Sequence, residues 1–164
     1  MNIIFIILST DFLSAIGCTQ TYCASCQPGD TIILVSDGVH DNLHPAFLDV
    51  EPRQLKLDFD SWEDVAQYLD VEKIALDYRV KLLHQLIGDF EETPENIVNK
   101  LMEYVINTTE SSRKWMETNQ GKRLPCNYKL YPGKMDHTTC LVFGVGPFDS
   151  PRSRSMYLIF ILFF

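Results

Sequence analysis

The strongest constraint on the fold is a pair of short, β-branched apolar runs, each bracketed by turn residues. Residues 31–35 (TIILV) follow the turn residues 28–30 (PGD) and stop at residues 36–38 (SDG). Residues 139–145 (TCLVFGV) follow residues 132–134 (PGK) and end before a Gly-Pro pair. Runs of this length and composition between turn signals indicate buried strands. The sequence therefore predicts two core strands far apart in the chain.

Helical periodicity replaces the strand pattern between these two runs. Ser61, with an acid three positions later at Asp64, fits the N-cap of a helix. A longer apolar stripe then runs toward Gly88, and the pair Thr93-Pro94 fits the cap and first turn of another helix. The polar residues 111–122 are expected to hold a last short helix or a loop. Periodicity alone thus predicts a mixed α and β domain.

Composition bounds the class of protein. The 164 residues, 46% of them hydrophobic, suffice for one ordinary core and one domain. The net charge of -8 argues against nucleic acid as a partner, because phosphate binding needs clustered Lys and Arg. The five cysteines form an odd set in a chain too large to need a disulfide framework. We therefore expect a reduced, intracellular setting, the cytoplasm.

Both ends of the chain are apolar. Residues 1–8 have no preceding Lys or Arg and are cut short by Asp11, so a strand fits them better than a signal peptide. Residues 156–164 (MYLIFILFF) fall below the ~20 residues that a membrane-spanning helix needs, so we expect no membrane partner. The chain divides into an apolar N-terminal segment that is a strand remnant (1–28), a folded part (29–146), and a linker with an apolar tail (147–164).

Asp37 is the first candidate functional residue. It follows a buried strand directly and precedes a glycine, so its carboxylate is expected to project from a rigid element. Hard oxygen ligands of this kind suit Mg²⁺ or Mn²⁺. Taken alone, Ser-Asp-Gly also fits a simple turn in which the aspartate bonds to its own backbone.

Two motifs in order carry a family resemblance. Residues 29–43 (GDTIILVSDGVHDNL) contain a Gly-Asp turn, an apolar strand and Ser-Asp-Gly, followed by Asp and Leu. Residues 133–139 (GKMDHTT) lead straight into the last strand. Together they resemble motifs of the metal-dependent, type 2C (PPM-type) Ser/Thr protein phosphatases, the second one as Gly-Lys-x-Asp-Asp/Asn-x-Thr/Ser. The resemblance identifies residues 29–146 as the carboxyl-terminal part of such a domain, with only helical character matching between the motifs.

The resemblance implies a fold, a reaction and a site. The fold is α+β, part of a PPM-type sandwich of antiparallel sheets flanked by helices. The reaction is hydrolysis of phosphoserine or phosphothreonine in a phosphoprotein substrate, with Mg²⁺ or Mn²⁺ in a binuclear centre. Asp37 and Asp136 correspond to ligands of one ion, so we expect their carboxylates about 4 to 6 Å apart. Water activated by the ions attacks in such centres, so no catalytic side chain is assigned.

The sequence departs from the family at the other ion. The family's Asp-Gly-His-Gly motif and an Arg upstream of it have no counterpart, since the only Asp-Gly pair is already used at Asp37. We therefore expect at most one ion, either in a chain truncated at its start or in a degenerate relative. The alternative function is a catalytically inactive pseudophosphatase, a binding or regulatory module with a regulatory partner. His137 stands where the family usually has Asp or Asn, which leaves the ligand position intact.

Three other arrangements of chemically active residues need weighing. Cys18, Cys23 and Cys26 have the opening spacing of a plant-type iron–sulfur protein, but Cys126 is too distant to be the fourth ligand. Zinc ligation by these cysteines is possible, although unpaired cysteines beside an apolar strand are more often buried small hydrophobes.

The other two arrangements involve histidine. Residues 40–44 (HDNLH) are similar to the zinc-protease pattern His-Glu-x-x-His, but Gly38 precedes them and Pro45 follows, which leaves little helix to align His40 and His44. We expect no zinc site there. Ser36, Asp37 and His40 are too close in sequence to act as nucleophile, base and orienting group without special geometry.

Overall fold

The computed structural model describes residues 3–8, 25–88, 92–146 and 156–161. Within these ranges one four-stranded sheet has the order β1-β2-β3-β4. Its strands are β1 (Ile3–Leu8), β2 (Thr31–Ser36), β3 (Thr138–Gly144) and β4 (Met156–Ile161). β1 runs parallel to β2, whereas β2 pairs with β3, and β3 with β4, in antiparallel fashion. The sheet therefore brings the two predicted core strands together as neighbours.

The central strands β2 and β3 are buried on one face, as their sequences predict. Ile33 pairs with Val142 and Val35 pairs with Cys140. All four side chains are fully buried, while the residues between them along each strand are only partly buried. This period of two is the one that strand geometry imposes on a sheet with one buried face. The prediction of two buried core strands is confirmed.

The chain divides by its contacts into two compact units. The first comprises Met1–His40, Ile87–Met102 and Asp136–Phe164, and the second comprises Asp41–Leu86 and Glu103–Met135. The first unit holds the sheet, the one-turn helix α1 (Asp37–His40) and the beginning of α4 (Pro94–Thr108). The second holds the rest of α4, nearly all of α3 (Val71–Ile87), and the helices α2 (Trp62–Tyr68) and α5 (Glu110–Thr118).

The helices begin at the capping residues that the sequence indicates. The Ser61 hydroxyl accepts a hydrogen bond from the Asp64 backbone N–H at 3.1 Å, which caps α2. The Thr93 hydroxyl accepts a hydrogen bond from the Asn96 N–H at 3.2 Å. Thr93 directly precedes the proline that begins α4. α3 ends at Ile87, directly before Gly88, whose φ of 75° lies in the left-handed region that ends many helices. The predicted helix positions are therefore confirmed.

The fold is mixed α+β, as predicted at this coarser level. The apolar residues near the start of the chain form β1, in agreement with the strand expected there. Met156–Ile161, within the segment expected to be a tail, forms β4 and pairs with β3 from Met156 opposite Phe143. A run that is apolar at every position has no periodicity that separates a strand from a tail. Among the described residues, no helix combines the length and the apolar character needed to cross a membrane.

Candidate functional site

Asp37 and Asp136 leave the sheet at the same end. Because β2 and β3 are antiparallel, with Val35 opposite Cys140, the last residues of β2 lie beside the first residues of β3. Asp37 directly follows β2, and Asp136 lies just ahead of Thr138, where β3 begins. The fold thus brings the acids of the two motifs to one edge of the first unit.

Ser36 ties the two acid-bearing segments together. Its hydroxyl donates a hydrogen bond to the His137 carbonyl at 2.9 Å and accepts one from the Thr139 N–H at 3.0 Å. The residue is 9% exposed, so these bonds are largely shielded from competing water. The serine of Ser-Asp-Gly therefore fixes the segment of Asp136 against the end of β2. Ser36 is therefore a positioning residue, whereas the sequence suggested a nucleophile at most.

Gly38 gives a second close contact at the same place. A Cβ atom on this residue would meet the His137 carbonyl oxygen and would lie 2.7 Å from the Thr138 hydroxyl oxygen and 2.9 Å from the His137 carbonyl carbon. Real side chains do not approach backbone atoms this closely. The first turn of α1 therefore packs directly on the segment before β3, and only glycine fits there.

The two carboxylates each bond to the backbone beside them. One Asp37 carboxylate oxygen accepts from the Gly38 N–H at 3.0 Å, and one Asp136 oxygen accepts from the His137 N–H at 2.7 Å. The His137 imidazole Nδ1 lies 3.6 Å from the same Asp136 oxygen. Asp136 is 45% exposed and Asp37 is partly exposed, so both are accessible to ions from solvent.

The donor chemistry of this pair fits a hard divalent cation. Mg²⁺ prefers oxygen ligands and is often held by only one or two carboxylates, with water completing its octahedron. In the part of the chain that the structure describes, no three His, Cys, Asp or Glu side chains are grouped so as to hold a metal ion. Asp37 and Asp136 are the two ligands that the sequence predicts. Their separation of about 4 to 6 Å stays a prediction.

No protein-family model, curated protein or solved structure matches this chain. The comparisons therefore neither support nor oppose the phosphatase resemblance.

The second unit contains a clamp built on Asn42 and Lys134. The fully buried Asn42 side chain donates to the Lys134 carbonyl at 2.9 Å and accepts from the Lys134 N–H at 2.9 Å. The Lys134 ammonium donates to an Asp41 oxygen at 2.7 Å and lies 4.5 Å from the centre of the Phe47 ring. The Gly133 N–H donates to the Phe47 carbonyl at 2.6 Å. The Gly-Lys part of the second motif is thus fastened to residues that follow Ser-Asp-Gly in the first.

This clamp was missed by sequence reasoning, although both motifs include its residues. The local sequence gives little signal, because Asn42 follows the acid Asp41, yet the residue is fully buried in the structure. A buried amide needs several hydrogen-bond partners. Its hydrogen-bond partners lie far away in the sequence. The residue type therefore indicates that hydrogen bonds form but cannot identify the partner residue.

His40 and His44 do not share a continuous helix. α1 ends at His40, and a 3₁₀ turn follows over Asp41–Leu43. His44 is buried and caps the next 3₁₀ turn (Pro45–Phe47), where its Nδ1 accepts from the Ala46 N–H at 3.2 Å. The His44 ring also packs against Phe47, with centroids 4.9 Å apart. These contacts give His44 a structural role.

The described cysteines differ in how exposed they are. Cys18 and Cys23 of the spaced trio lie outside the described residues. Cys126 is exposed in the second unit, whereas Cys140 is fully buried in β3. Burial raises the pKa of the Cys140 thiol to about 12, since the thiolate would lose its hydration there. Cys140 therefore acts as a small apolar core residue.

Proposed function

We propose that this chain carries the carboxyl-terminal, metal-binding part of a PPM-type protein Ser/Thr phosphatase domain. The observation that supports this most directly is the shared sheet end of Asp37 and Asp136. Two motifs that are far apart in sequence deliver one carboxylate each to that end, and Ser36 and Gly38 fix the backbone between them. The finer architecture, a PPM-type sandwich of two sheets, is part of the same proposal, although the described sheet departs from the expected antiparallel pattern in its parallel β1–β2 pair.

In this proposal the chain's own residues bind and orient one cation. Asp37 and Asp136 would hold Mg²⁺ or Mn²⁺ through carboxylate oxygens. Ser36 would keep the two acid-bearing segments in register through its two hydrogen bonds. When bound, such an ion supplies Lewis acidity toward water and toward the phosphoryl oxygens of a phosphoserine or phosphothreonine substrate.

Metal titration tests the proposal. Titration of the folded protein with Mn²⁺, followed by calorimetry and by the electron paramagnetic resonance of free Mn²⁺, should give no more than one equivalent bound. The substitutions Asp37→Asn and Asp136→Asn, which preserve shape and remove charge, should each weaken binding about tenfold or more, because each removes one of two anionic ligands. Asp58→Asn, at an exposed aspartate of the second unit, serves as the matched control.

Two results would count against the site. One is equal Mn²⁺ affinity in the wild type and in both ligand variants. The other is a loss of affinity in Asp58→Asn as large as in Asp37→Asn, which would point to general electrostatic attraction by an acidic chain.

The second candidate function is a pseudophosphatase, and the sequence offers one specific observation in its favour. Only one Asp-Gly pair is present, so the chain has no Asp-Gly-His-Gly to hold a second ion. A protein of this kind would bind the cation and a regulatory partner but would not release phosphate. Turnover in the presence of metal separates the two candidates.

A further inference from the structure

A groove in the second unit has an aromatic floor. It is open to solvent, has a volume of about 380 Å³ and includes Trp62 and Tyr128 among its lining residues, which we call its floor; we name it the Trp62 groove. The Trp62 indole N–H donates to the Val50 carbonyl at 2.8 Å. Behind the floor, the His44 ring packs on Trp62 with centroids 6.4 Å apart, and the Phe47 ring packs on Tyr128 at 5.0 Å. These contacts hold both floor rings in place.

The rim of the Trp62 groove is strongly acidic. Four exposed carboxylates line it together with one lysine, Lys129, and one of the four, Asp60, is paired with Arg53. The acids are Asp49, Glu51, Asp60 and Glu63. Aromatic faces carry negative potential at their centres, so the floor and the rim favour the same sign of ligand charge.

One of the rim acids already binds a guanidinium group from the same chain. Arg53 donates to Asp60 at 2.6 Å, with both side chains well exposed at 65% and 75%. Exposed ion pairs of this kind contribute little to stability, so a partner's arginine can compete for the carboxylate. The pair shows that an acid of the rim binds an arginine side chain in an exposed setting.

We propose that the Trp62 groove binds a basic segment of a partner protein. An Arg or Lys side chain lies over the rings of Trp62 and Tyr128, where cation–π attraction adds to the charge of the rim. The net charge of -8 on the whole chain steers a cationic segment toward the protein and repels an acidic one. This proposal stands apart from the metal site, since none of its residues is a proposed ligand.

A peptide titration tests the groove. A fluorescent peptide of alternating Arg and Gly is titrated with the full chain by anisotropy, beside the same peptide with Glu in place of Arg. We expect saturable binding of the Arg peptide that weakens as salt is added, and no binding of the Glu peptide. The double variant Asp49→Asn/Glu63→Gln should bind the Arg peptide roughly three- to tenfold more weakly, since two exposed charge contacts are lost.

The controls separate the groove from the overall charge. Glu103→Gln/Glu117→Gln removes the same two charges at exposed positions outside the groove and should change affinity less than twofold. Tyr128→Leu removes a ring at constant charge and should weaken binding about threefold, the loss expected of one exposed cation–π contact. Circular dichroism checks that each variant is folded.

Three outcomes would overturn the inference. They are an absence of binding by the folded wild type, equal losses in the two charge variants, and equal affinity for the Arg and Glu peptides. Asp37→Asn should bind the Arg peptide as the wild type does, so failure of the groove and failure of the metal site are distinguishable.

Discussion

Gly38 packs directly against the segment that precedes β3, with no room for a side chain between them. An added methyl group would press on the His137 carbonyl and the Thr138 hydroxyl. Neither can retreat easily, because Ser36 and the β2–β3 pairing hold the segment in place. We therefore expect Gly38→Ala to lower the free energy of unfolding by about 1 to 3 kcal/mol, measured from urea unfolding followed by circular dichroism.

A second glycine gives a comparison in which backbone strain acts without a steric contact, the reverse of the case at Gly38. Gly121 has a φ of 78° and open space around its Cα, so Gly121→Ala tests backbone strain without any contact. Left-handed backbone costs a residue with a side chain roughly 1 to 2 kcal/mol. Wild-type stability in Gly38→Ala would mean that α1 does not rest on the segment before β3.

Short elements show how much of the fold could be predicted from the sequence. The caps at Ser61 and Thr93 could be predicted because the capping residue, the first turn of the helix and its acidic residue lie within a few positions of one another. β4 could not, since its uniform apolar run has no strand period. The clamp between Asn42 and Lys134 could not be predicted either, because a hydrogen bond between distant residues depends on how the chain folds.

The candidate site was predictable only in part, for the same physical reason. The position of Asp37 directly after a strand is a local feature, and the sequence pattern predicts it. That Asp136 comes to the same sheet end depends on the antiparallel pairing of β2 with β3, which periodicity does not specify. The roles of Ser36 and Gly38 as ties between the segments depend on that pairing as well.

The thiol of Cys140 reports on the integrity of the β2–β3 pair. Because burial raises its pKa to about 12, roughly one thiol in ten thousand is ionised at pH 8 in the folded protein. We expect iodoacetamide to label the exposed Cys126 quickly at pH 8 and to leave Cys140 unlabelled until the protein unfolds, as measured by mass spectrometry of peptides. Fast labelling of Cys140 without unfolding would contradict the burial of β3.

The same thiol gives a stability change with a definite sign. Its pKa is raised from the ordinary value of 9.0, so the folded state disfavours the thiolate relative to the unfolded chain. The contribution of Cys140 to stability is therefore fully present below pH 9 and is lost as the pH rises from about 9 to about 12. Cys140→Ala should remove this part of the alkaline loss while leaving the rest.

At the scale of the whole molecule, the proposed function depends on how many ions the chain can hold. Two carboxylates and water suit one cation, and the sequence has no Asp-Gly-His-Gly for a second. A two-ion centre supplies both an activated nucleophile and stabilisation of the phosphoryl charge, and each effect contributes several kcal/mol. In the proposed half-site, most of both contributions would be missing.

We therefore expect the chain, expressed alone, to release phosphate from a phosphoserine peptide or an aryl phosphate barely above background, even with excess Mn²⁺. The assay requires protein shown to be folded by circular dichroism, so that low turnover is not a result of unfolding. Asp37→Asn and Asp136→Asn should leave this small rate almost unchanged while each weakens Mn²⁺ binding about tenfold or more. If instead turnover is fast, depends on Mn²⁺ and disappears in either variant, then acids other than Asp37 and Asp136 complete a two-ion centre, and the half-site proposal is wrong.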